Sequence, residues 1–143
     1  MYGVDYKKAK ELTFKQLYGG VFKEYKELEF FKRVEGYIED ISSKDEHVCK
    51  SGYVFKTNMK KQKLFNYILQ NTETYYNVLI LEKIIALLKD KKTRIIHYTY
   101  DSFLLDVDRS EKPTIDAILD IFKDYKFNTK IEAGHNYGSL EKV

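Results

Sequence analysis

Apolar positions recur every three or four residues over some stretches of this chain and run alternately or continuously over short others, so helices and short strands are both predicted. The first helical stretch is "YKKAKELTFKQLYGG", Tyr6 to Gly20. Asp5 stands at its N-cap position, and Gly19-Gly20 supply a stop. Val21, Tyr25, Leu28 and Phe31 or Lys32 continue at helical spacing through "VFKEYKELEFFKRV", which predicts a second amphipathic helix. "EDISSKDEHVCKSGYVFKT" carries turn residues without a helical period, so a loop with a short strand or hairpin near Tyr53 to Lys56 is expected. The longest helical pattern runs from Lys61 to Lys91, apolar over more than half its circumference in its second half, as the spine of a domain would be. "TRIIHYTYDSFLLDV" is β-branched and aromatic, predicting two short strands joined at a tight turn at or beside Asp101. Pro113 marks the first turn of a helix through about Tyr125, and "TKIEAG" reads as a final strand. This order gives an α+β fold, with helices packed on a small antiparallel sheet.

Composition narrows the function classes. With 43% apolar residues in 143, the chain can bury a core. Lys and Arg exceed Asp and Glu by only 25 to 22, so contact with a polyanion must come from local arrangement rather than bulk charge. The single cysteine, Cys49, leaves no internal disulfide and fits a reducing compartment, and a cytoplasmic protein is expected. No apolar run reaches the roughly 18 residues of a membrane span, and no signal peptide is evident, so no membrane partner is expected. His47 and Cys49 are two potential ligands, short of the four a structural zinc site needs.

Three constellations carry chemistry. On the first helix Lys10, Phe14 and Tyr18 fall within an arc of about 80°. An ammonium beside two rings suits a phosphate, a sugar and a base; the alternative is two core aromatics with Lys10 laid along them, which spacing alone favours. On the long helix Gln62, Asn66, Gln70, Glu73 and Asn77 share a similar arc. Amide donors there would suit the acceptors of the DNA minor groove, against the alternative of an ordinary solvated face. The third is Asp101, whose carboxylate could take Mg²⁺ with substrate phosphates, although Asp is also a common turn residue. Asp106 and Asp108 are read as solvated.

In this order the three pieces resemble the family A, polymerase I-like DNA polymerases, with the character of a divergent phage-like member. "KELTFKQLYGG" resembles the fingers helix that contacts the incoming nucleotide. The resemblance implies that Lys10 grips the nucleotide phosphates as a catalytic residue, Phe14 packs on sugar and base, and Tyr18 stacks near the templating base. "NYILQ" resembles the palm helix that touches primer–template, which gives Asn66 and Gln70 that role, with Gln62 one turn earlier where the family often has Arg. "YTYDSFLLDV" resembles the hairpin whose Asp binds the catalytic metals, making Asp101 the metal-binding and catalytic carboxylate. "IEAGHNYGSL" resembles the closing strand and tail, so the sequence is expected to end with its parent protein.

The departures are specific. Tyr6 stands where the family has Arg, and Lys7 on the same face is the substitute point charge. His-Asp-Glu becomes Tyr100-Asp101-Ser102, without the second carboxylate. The family's other metal-binding Asp lies on a palm strand preceding the fingers helix, and two-metal phosphoryl transfer needs carboxylates from both places. The resemblance therefore implies a fingers-helix segment over residues 1–35 and a carboxy-terminal palm segment over 36–143. These would act on primer–template DNA and deoxynucleoside triphosphates with Mg²⁺, completed by a polypeptide that supplies the missing palm strand and its Asp. That strand comes from a separate subunit or from an earlier part of the same protein. The alternatives are a non-catalytic DNA-binding or regulatory remnant and an unrelated α+β domain.

Overall fold

Asp5 opens the first helix as its position predicts. In the computed structural model, which describes residues 3–143, its Oδ1 accepts a hydrogen bond from the Lys8 N–H at 3.0 Å. This helix, α1 (Tyr6–Gly19), closes at Gly20, whose φ of 97° favours glycine and whose N–H donates to the Gln16 carbonyl at 3.0 Å. The inward side of α1 is Ala9, Leu12, Thr13, Gln16 and Leu17, a helical repeat on one face.

The second helix departs from its sequence pattern. Lys23–Tyr25 form a single 3₁₀ turn, and α2 runs over Glu29–Ser42. Phe22 and Leu28 are both extended, with ψ of 148° and 127°, and either would interrupt a continuous helix. The Phe22 N–H is also drawn away, donating to the Gln16 Oε1 at 3.1 Å. At its far end α2 takes in Glu39 to Ser42, which lacked a helical period of their own. The boundary expected after residue 35 falls within α2.

Strands β1 (Glu46–Val48) and β2 (Val54–Lys56) make the hairpin expected near Tyr53, with His47 opposite Phe55. Helix α3 spans Lys61–Leu88. Then follow β3 (Arg94–Thr99) and β4 (Ser102–Asp106), α4 (Lys112–Asp124) with Pro113 in its first turn, β5 (Glu132–Ala133) and β6 (Glu141–Lys142). The α+β class holds, but the single small sheet is corrected. Among the described residues the strands form three separate two-stranded antiparallel sheets, because each pairs only with its hairpin partner.

The chain divides into two compact units, one up to Tyr75 and one from Tyr76 on. In the first, Ile41, Cys49, Leu64 and Ile68 form a buried cluster with Phe55 and Met59 against it. In the second, Ile80, Ile84 and Leu88 of α3 meet Ile118 of α4, and Ile95, Phe103 and Leu105 bring the β3–β4 hairpin onto that cluster. No helix among the described residues is long and apolar enough to cross a membrane.

Candidate functional site

Because Gln16 and its neighbours turn inward, Lys10, Phe14 and Tyr18 are left on the outer side of α1. Phe14 is 41% and Tyr18 45% exposed, so neither ring is a core residue. The rings stack with centroids 5.6 Å apart and planes 12° from parallel. The Lys10 Nζ lies 5.6 Å from the Phe14 centroid, within cation–π range. A cation and two flat apolar surfaces thus form a ladder along α1 before any ligand arrives. Lys7 is exposed one turn earlier.

The amide series on α3 is not one uniform face. Gln62 and Asn66 are half-buried, while Gln70 and Glu73 are exposed. Gln62 stands at the end of α1: a Cβ added at Gly20 would lie 3.7 Å from its Nε2, and both line a cleft of about 300 Å³ with Gln16 and Lys61. The Asn66 Oδ1 is buried without a hydrogen-bond partner, a cost that a donor from water or a ligand would relieve. Asn77 leaves the series altogether. It is 6% exposed, and its Nδ2 donates to the Tyr100 carbonyl at 2.9 Å.

That bond reaches the turn of the β3–β4 hairpin. Thr99 pairs with Ser102, leaving Tyr100 and Asp101 as a two-residue loop with Asp101 exposed at its tip. The Ser102 hydroxyl donates back to the Thr99 carbonyl at 3.1 Å, closing the loop from the other side. At the base of the hairpin the Glu111 carboxylate accepts the Lys92 and Thr93 N–H groups at 3.0 and 2.9 Å. These two donors hold the Glu111 carboxyl below its ordinary value. Asp108, read from the sequence as solvated, is half-buried and caps the following turn: it accepts the Ser110 N–H at 2.8 Å and the Ser110 hydroxyl, which lower its pKa. Along β3 the pairing shifts register between Ile95 and His97, a bulge at Ile96.

The donor set fits Mg²⁺ only in part. Asp101 is one exposed carboxylate of the hard-oxygen kind that Mg²⁺ accepts alongside phosphates. Ser102 does not replace a second carboxylate, since its hydroxyl is neutral and supplies no negative charge. No group of three or more His, Cys, Asp or Glu able to hold a metal occurs among the described residues. The Lys10 ladder, Gln62, Asn66 and Gln70 belong to the first unit and Asp101 to the second.

Two supports of these positions were not legible in the sequence: Gln16, which turns the chain after α1, and Asn77, which grips the hairpin. The signal available for Gln16 was its place opposite the aromatic stripe. For Asn77 it was an amide within an otherwise apolar run. No protein-family model, curated protein or solved structure shows significant similarity to the chain.

Proposed function

We propose that this chain is the carboxy-terminal fingers-and-palm part of a family A DNA polymerase, carrying out template-dependent nucleotidyl transfer once another polypeptide segment supplies the missing palm strand. The observation that supports this most directly is the exposed ladder of Lys10, Phe14 and Tyr18, because a nucleotide needs a cation for its phosphates and a flat surface for its sugar and base. In this reading Lys10, aided by Lys7, holds the triphosphate of the incoming nucleotide, while Phe14 and Tyr18 orient its sugar and base. Gln62, Asn66 and Gln70 donate to minor-groove acceptors of primer–template. Asp101 would hold Mg²⁺, which when bound activates the primer hydroxyl and neutralises charge on the leaving pyrophosphate. The other carboxylates come from the completing segment. The β3–β4 sheet, with each strand paired on one side only, offers an edge on which another strand could add.

The neutral hydroxyl of Ser102, beside the single carboxylate of Asp101, favours a second reading, a DNA-binding remnant without catalysis. One titration separates the two. If the chain is polymerase machinery, Mg²⁺ and the correctly paired deoxynucleoside triphosphate tighten its complex with primer–template; if neither has any effect, only the DNA-binding reading stands. Within that assay Lys10→Ala is expected to weaken nucleotide binding about tenfold or more, the loss of one charge-assisted contact, with DNA affinity little changed. In the enzyme completed by its partner segment, Asp101→Asn abolishes nucleotide addition, and a near-normal rate would remove Asp101 from the metal site.

A further inference from the structure

We infer that Asn77 is a positioning residue for Asp101, an inference that rests on the metal-binding role proposed for that carboxylate. The second half of α3 buries Ile80, Ile84 and Leu88, so the chemically simple choice at position 77 would be another aliphatic side chain. Burying an amide costs free energy that a hydrogen bond offsets. Asn77 directs its Nδ2 to one backbone atom 23 residues away, the carbonyl oxygen of Tyr100.

That atom controls the neighbouring carboxylate. The Tyr100 carbonyl, the Asp101 N–H and the Asp101 Cα lie in one peptide plane. Holding the oxygen fixes the plane and leaves only the φ and side-chain torsions of Asp101 to place its carboxylate. The hold is needed because Tyr100 has a φ of 49°, a left-handed conformation that is unfavourable for a non-glycine residue. The Tyr100 side chain does not compensate, since the residue is 84% exposed. The bond from Asn77 supplies an anchor from the core, and the short loop between Thr99 and Ser102 allows few alternatives. The strained turn, the buried amide and the exposed carboxylate are therefore one device.

The test uses the full chain with Mn²⁺ and a deoxynucleoside triphosphate, reading paramagnetic broadening of the amide signals from Tyr100 to Phe103. Broadening that saturates in the natural chain and vanishes in Asp101→Asn places the metal on that carboxylate. Asn77→Leu is then expected to weaken Mn²⁺ about tenfold, the usual scale for loss of a ligand-orienting contact. Tyr100→Gly added to Asn77→Leu restores part of the affinity, because glycine adopts a positive φ without the steric penalty that the anchor offsets. Asn77→Ser, which shortens the reach without adding bulk, serves the same comparison if the leucine variant does not fold. Unchanged Mn²⁺ affinity in these variants overturns the inference and leaves the metal role of Asp101 standing. So does a loss that Tyr100→Gly fails to restore, which would reduce Asn77 to packing. No effect of Mn²⁺ on the natural turn, or one that Asp101→Asn leaves intact, shows that this chain by itself holds no metal at Asp101 and overturns the inference.

Discussion

Gln16 shows how one side chain decides what a helix presents. It is 1% exposed, and its Oε1 accepts the Phe22 N–H at 3.1 Å, so the chain leaves α1 in a fixed direction with the aromatic ladder outside. Gln16→Leu should cost about 1–3 kcal/mol, the penalty for stranding a partly buried donor, and urea unfolding would measure it. A loss well below that range would mean that Phe22 finds another acceptor. At this scale the sequence was legible where a residue's role follows from its place in a repeat. The spacing of Lys10, Phe14 and Tyr18 put them on one face, and the Asp5 cap was readable from its type and position. It was not legible where the role depends on a partner far along the chain. Asn77 shares an arc with Gln70 and Glu73, yet those two are exposed and Asn77 is buried against Tyr100. Periodicity records angle, not which side of a helix is covered at a given height.

Among elements, the β3–β4 hairpin is fastened at both ends by side chains bonding to backbone: Asn77 at the turn and Glu111 at the base. The base is sensitive to acid. Since folding lowers the Glu111 pKa, its stabilising contribution is complete above the ordinary carboxylate range and is lost as pH falls through the lowered value. The melting temperature of the natural chain should therefore exceed that of Glu111→Gln by a steady margin above about pH 5, and the two should converge on acidification. A margin independent of pH would mean that the carboxylate is not the group at work. Long elements with a strong period were readable almost to their ends, as α3, α4 and the β3–β4 hairpin show. The start of α2 was not, because a 3₁₀ turn at Lys23–Tyr25 keeps apolar residues near helical spacing while Phe22 and Leu28 are extended.

Across the whole molecule the net charge of +3 leaves the DNA contact proposed above to local groups rather than to bulk charge. If amides and rings lead that contact and only a few phosphates are touched, the affinity of the chain for primer–template should fall gently with salt, with a log–log slope no steeper than about −4. A much steeper slope would point to a concentrated basic surface and against recognition led by amides and rings. The chain also carries a single thiol, on Cys49, which is 6% exposed within the cluster of Ile41, Leu64 and Ile68 and whose pKa is pushed up by burial. A reagent that needs the thiolate can reach it only when that cluster opens. Its rate of alkylation is therefore a clock built into the native chain. Without any engineered probe, it reports how often the unit bearing the Lys10 ladder comes apart, and whether a bound nucleotide slows that opening.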